Sequence, residues 1–272
     1  VITLSNDDLE VFVLDSANDE DRKRFGTRYC TGGYIFQVSD HALGDLLAGP
    51  TYPESFNVYD GQGIPDAFNR LPLRDPQDPT RGLIIGVGLC DLAANIVLDS
   101  CNWEVRVGEK TLTFRTAQSF GKYSFALQRR IELHGRTVRS TTWLDASGEA
   151  GFQISWYPHP FFPQPEGNEL CRLNIPVGIR DNPGYVMDAG GFITRKGWPW
   201  TTDFYLALDH DAQGPLTVLQ RHPKVGLVGG TFGYIPRFFP IWGNPNTFSF
   251  EPYYESTIAP GQGLAWWMAY DF

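Results

Sequence analysis

The chain has 272 residues, 42% of them hydrophobic and 19% charged, a balance that fits a globular protein with an ample core and excludes a disordered one. A formal net charge of -9 argues against nucleic acid or an anionic membrane as partner, because both reward basic patches. No apolar run approaches the roughly 20 residues that span a bilayer.

The opening residues 1–6 lack the basic and apolar regions of a signal peptide, and a start at Val1 leaves a removed leader open. The segment Arg24-Phe25-Gly26-Thr27-Arg28-Tyr29 then leads into a strand expected at 34–38. Arg28, beside aromatic residues, suits either a fork onto a sugar hydroxyl or carboxylate, or a structural ion pair. Residues 41–47 are expected to form a helical turn or two. The proline- and aspartate-rich 71–80 reads as a surface loop, followed by a strand at 83–87. Cys30, Cys90, Cys101 and Cys171 show no metal-type spacing and read as buried free thiols, although Cys90 and Cys101 could close a short loop. Buried free thiols point to an intracellular, cytoplasmic setting.

From here period 2 dominates. Residues 103–107 and 111–114 flank Gly108-Glu109-Lys110, a hairpin signal. Tyr123, Phe125, Leu127, Ile131 and Leu133 alternate with polar residues as a half-buried strand does. Residues 137–144 are rich in β-branched side chains. Further strands are expected at 204–208, 216–220, 225–228 and 247–250, and the chain closes on one at 264–270. Twenty prolines and 29 glycines fall between the apolar runs, where turns need them. The pattern predicts an all-β fold, a large sandwich or barrel, in one domain spanning 1–272.

Two stretches carry chemistry. In Trp156-Tyr157-Pro158-His159-Pro160-Phe161-Phe162 a strand ends on a histidine held between two prolines, each restricting the backbone. His159 is a candidate general acid in an aromatic-walled cleft; the alternative is a half-buried histidine bound to backbone. In Phe248-Ser249-Phe250-Glu251-Pro252 a carboxylate interrupts an aromatic strand, and desolvation there pushes its pKa up toward the range of a useful base. The alternative, less favoured, is a solvent-facing Glu251 on an edge strand. Asp209-His210-Asp211 and His41 with Asp45 read as solvated turns rather than metal ligands. Trp242 is a candidate for stacking on a sugar face, or core packing.

These pieces resemble the galactose mutarotase-like superfamily, which includes the aldose 1-epimerases and hexose-phosphate mutarotases. Three anchors stand in order over nearly the whole chain. Gly26-Thr27-Arg28 before an early strand is similar to the opening Gly-x-Arg. His159-Pro160-Phe161-Phe162 is similar to the central motif whose histidine is the general acid. Phe250-Glu251, followed by Pro260-Gly261, is similar to the closing strand with its catalytic glutamate. No second histidine matches the one that epimerases carry before the central one, and residues 45–81 fit no epimerase motif.

The resemblance implies an antiparallel β-supersandwich and an isomerase of the aldose 1-epimerase type that exchanges sugar anomers through the open chain. Glu251 is then the base and protonated His159 the acid. Tyr157, Phe161 and Trp242 bind the sugar face, Arg28 binds its hydroxyls or a charged substituent, and no metal or organic cofactor is required. The implied partner is a small-molecule sugar or sugar derivative. The competing expectations are a non-catalytic carbohydrate-binding protein and another sugar isomerase or lyase on the same scaffold.

Overall fold

The computed structural model describes residues 1–55 and 57–272. The largest unit is a ten-stranded antiparallel sheet. Its strands run in the order Glu104–Val107, Thr111–Phe120, Tyr123–His134, Thr137–Ala146, Gly263–Asp271, Gly226–Phe232, Leu216–His222, Glu169–Leu173, Phe192–Arg195 and Tyr185–Met187. Strands adjacent in sequence pair by short turns through the first half, as Phe125 opposite Ala146 and His134 opposite Thr137 illustrate. The closing strand lies between Thr137–Ala146 and Gly226–Phe232 and joins the two halves.

Alternation sets which side is core. Along Tyr123–His134 the residues Phe125, Leu127, Ile131 and Leu133 are buried, in register with buried Leu112 and Phe114 on the neighbouring strand. Arg129 occupies the same inward row and is 1% exposed. Smaller sheets pack over this face to complete an all-β antiparallel supersandwich. One contains Tyr254–Ile258, Phe152–Pro158 and Asp66–Ala67; another contains Phe162–Pro163, Thr247–Phe250, Pro240–Gly243 and Phe204–Ala207.

Three expectations change. Residues 41–47 form a turn and not a helix. The Asp40 side chain accepts from the amides of Ala42 and Leu43, and the chain returns through Gly44–Asp45 to pair with residues 39–40. The strand expected at 83–87 stops at Ile84, because Gly86, at φ +74, turns the chain back into Gly88–Asp91. The 71–80 loop contains a two-residue strand, Leu73–Arg74, paired with Leu83 and Gly82. Among the described residues the sole α-helix is Asp19–Arg22, capped by the Asn18 side chain, and no helix is long and apolar enough to cross a membrane. All four cysteines are free and buried.

One glycine fixes the approach of the site's loops. Gly63 adopts φ +74, and a Cβ there would lie 2.3 Å from the Ile35 carbonyl oxygen. Its own carbonyl accepts from the amide of Phe161 at 2.8 Å. Gly63→Ala is therefore expected to destabilise the fold by at least about 1 kcal/mol, because strain and a backbone clash combine. Urea unfolding of the variant against wild type checks this; equal midpoints and slopes contradict it.

Candidate functional site

The site is built where two small sheets meet. Period 2 along Thr247–Phe250 sends Phe248 and Phe250 into the core, where Phe250 stacks on Phe162 at 5.9 Å, and turns Ser249 and then Glu251 to the other side. The strand Phe152–Pro158 ends just before His159, whose amide donates to the Pro65 carbonyl at 2.8 Å. The imidazole stacks on Phe161 with centroids 4.3 Å apart and meets the rings of Trp242 and Tyr29 edge-on. Its Nδ1 shares a hydrogen bond with Ser249 Oγ at 3.0 Å, and its Nε2 lies 3.4 Å from Glu251 Oε1. Both members of this pair are buried, at 4% and 6% exposure.

Arg28 lies near enough to the pair for its charge to act on both members. Its guanidinium lies over the Tyr29 ring and donates to Asp60 Oδ1 at 2.8 Å, so the ion-pair reading of this residue holds together with its placement at the site. Asp60 is held in turn by the hydroxyls of Tyr29 and Ser55. Tyr157 stacks on Tyr253 at 4.3 Å, and its hydroxyl donates to Asn69 Oδ1. Arg70 donates to the Tyr253 hydroxyl at 3.4 Å with its guanidinium over that ring. Trp242 lies across from Ser249 on one neighbouring strand and Tyr205 on the other, and its indole N–H donates to Asp203.

Burial decides the charges. It pushes the Glu251 carboxyl up to about 8, against the pull of Arg28 and Arg70. It drives His159 well below the ordinary imidazole range, and the nearby Arg28 cation acts in the same direction. The expected ionised Glu251 with protonated His159 is therefore the less favoured of the two arrangements in which the pair holds one proton. Around neutrality the pair holds one proton, and desolvation favours the uncharged arrangement, Glu251 as acid and His159 as neutral imidazole.

The six residues singled out in the sequence, Arg28, Tyr157, His159, Phe161, Trp242 and Glu251, therefore lie around one centre. Sequence reasoning missed Ser249, Asp60 and Arg70. Ser249 was accessible, since it stands two residues before Glu251 on an alternating strand. Asp60 and Arg70 fall in the stretch that matched no motif. The other titratable clusters stay apart: Asp209 forms an exposed ion pair with Arg180, and His41 bonds to the Asn6 carbonyl.

No protein-family model matches the chain, and no curated protein matches it in sequence. Solved structures do match it in shape. A galactose mutarotase-related enzyme of Lactobacillus acidophilus superposes with a TM-score of 0.63 at 13% identity, covering 99% of this chain and 96% of that one. An aldose epimerase homologue of C. elegans gives 0.55 at 10% identity, covering 99% and 97%. A galactose mutarotase-like protein of Clostridium acetobutylicum gives 0.52 at 13% identity, covering 96% and 94%. At such identities what is shared is the fold.

Proposed function

Starting from the galactose mutarotase-like fold, which this chain has, we propose that it is a sugar isomerase of the aldose 1-epimerase type. Residues 1–272 are taken as one supersandwich domain, and a small sugar as its ligand. The observation that carries the reading is the buried contact at 3.4 Å between His159 Nε2 and Glu251 Oε1, walled by aromatic rings and flanked by Arg28. An apolar wall with a few convergent polar groups is how small polar ligands are oriented.

The chemistry needs one proton in and one proton out. Glu251 as carboxylate takes the proton of the anomeric hydroxyl while His159 as imidazolium gives one to the ring oxygen. The C1–O5 bond breaks, and its electron pair goes to O5 as the C1 carbonyl forms. The open-chain aldehyde then faces a protonated Glu251 and a neutral His159, which is the arrangement that burial favours. Rotation about C1–C2 and the reverse transfers close the ring on the other face. Ser249 on Nδ1 holds the imidazole in register through both halves. Arg28 and Tyr157 lie within reach of hydroxyls, and Trp242 and Phe161 supply stacking surface.

Both halves use a pair that carries a single proton, so activity follows the single-proton form. The shifts set the limbs. Glu251, raised to about 8, makes the rate fall on the alkaline side as that proton leaves. His159, lowered well below 6.5, makes it fall on the acid side only once the imidazole is protonated there. The expected profile is a bell with its plateau around neutrality, measured as NMR exchange between the α and β anomers of glucose and galactose across pH. A rate that keeps rising through pH 9, or no acceleration over buffer at any pH, contradicts it.

A further inference from the structure

A cavity of about 440 Å³ opens beside the pair, and it is lined by Arg28, Asp60, Asn69 and Arg70 toward the site and by Arg74, Asp91 and Asn95 beyond. Neither His159 nor Glu251 lines it, so a ring undergoing exchange at the pair leaves this space to whatever is attached to that ring. We infer that the cavity is a second saccharide subsite, and that the preferred ligand is the reducing end of a disaccharide or longer chain. This rests on the reading of the pair as a sugar site.

The chemistry of the lining selects a polyhydroxylated neutral group. Cations and carboxylates alternate with side-chain amides, giving donors and acceptors of both kinds. A sugar hydroxyl, which both donates and accepts, can use each of them. The groups are also held in place. Asn69 Oδ1 accepts from Tyr157, and Asn95 Oδ1 accepts from Thr27 Oγ1 at 2.5 Å, so each amide nitrogen remains able to donate. Asp91 Oδ1 caps the amides of Ala93 and Ala94, and Arg74 is tied to the Pro79 carbonyl. Groups already fixed lose little freedom on binding. Of the far residues, Arg74 comes from the Leu73–Arg74 strand, within residues 45–81 that match no epimerase motif, and Asp91 and Asn95 come from the hairpin of Gly88–Asp91 and Ile96–Ser100.

The test compares glucose with maltose and cellobiose, and galactose with β-1,4-galactobiose, by calorimetric Kd and by NMR anomer exchange. Glucose 6-phosphate and glucuronate are included as anionic probes. The expected result is a disaccharide bound roughly tenfold or more tightly than its reducing-end monosaccharide, the scale of one or two extra hydrogen bonds. Arg74→Ala and Asn95→Gly should collapse that ratio toward one; the glycine tolerates the φ of 57 at this position. Equal affinity for the two sizes overturns the subsite while leaving the sugar-isomerase reading intact. A disaccharide preference that both variants keep overturns its placement, and an anionic monosaccharide binding best overturns its chemistry. Binding without catalysis that the variants still weaken supports the subsite and overturns the isomerase. No binding or turnover of any of these sugars overturns both.

Discussion

Glu251→Gln is expected to lower the rate of anomer exchange by on the order of 10²-fold or more, the usual scale for a positioned base. The amide keeps the shape of the carboxyl but neither takes nor gives the proton at issue. His159→Asn is expected to cost a similar factor through loss of the acid. The double variant should lose less than the product of the two, because both proton transfers belong to one turnover and the groups act as a unit. Sugar binding should survive each single change, since the rings of Phe161, Trp242 and Tyr157 and the Arg28 guanidinium stay in place. The measurement is exchange rate beside calorimetric affinity for all four proteins. Rates within a factor of a few of wild type would remove the pair from the chemistry.

The second large effect concerns what holds the site from behind. Arg129 projects from the ten-stranded sheet into the core, where both its terminal nitrogens donate to Asp66 and one also donates to the Gly32 carbonyl. The same carboxylate accepts from the Trp156 indole at 3.0 Å. Both charges are buried, at 1% and 2% exposure. Asp66 pairs with Pro158, its carbonyl accepts from Cys30, and the preceding carbonyl of Pro65 accepts from His159. One buried ion pair thus ties the Arg28 loop, the Asp66 strand and the His159 strand to the large sheet.

Arg129→Met leaves the carboxyl buried without its cation, and the expected loss is about 3–5 kcal/mol. Burial already pushes the Asp66 carboxyl above its usual range, so the variant is further expected to bind a proton there and recover part of the loss in acid. Replacing both partners, Arg129→Met with Asp66→Leu, should be milder than the single change, because no charge is then stranded. Urea unfolding of the three proteins checks the order. A single variant as stable as wild type contradicts it.

Much of this was legible in the sequence, and the rest was hidden for identifiable reasons. Alternation located the long strands, since a strand half-buried on a large sheet writes its two faces directly into the chain. It also placed Glu251 correctly at a strand end among aromatics. Helix at 41–47 was misread because the apolar residues there sit on a turn stabilised by Asp40, a contact that carries no periodic signal. Arg129 was visible as a charge in the row Phe125, Leu127, Ile131, Leu133. Its partner Asp66 was not, because the pair is joined only by the packing of one sheet over another. Asp60 and Arg70 were unreadable for the same reason: their roles depend on Arg28 and Tyr253, which are distant in sequence. The upward shift of Glu251 was readable from its aromatic neighbours; the lowering of His159, and with it which of the two holds the proton, was not. Residue type gives an ordinary pKa, whereas the depth of burial and the position of Arg28 decide the direction in which it moves.

The most direct test is NMR exchange spectroscopy of α- and β-glucose and galactose at neutral pH, with wild type, Glu251→Gln and His159→Asn at matched concentration. The expected result is an acceleration by wild type on at least one sugar, lost by about 10²-fold or more in each variant although the sugar still binds. Binding by wild type with no acceleration on any sugar of a broad panel, or variants as fast as wild type, would contradict catalysis by this pair.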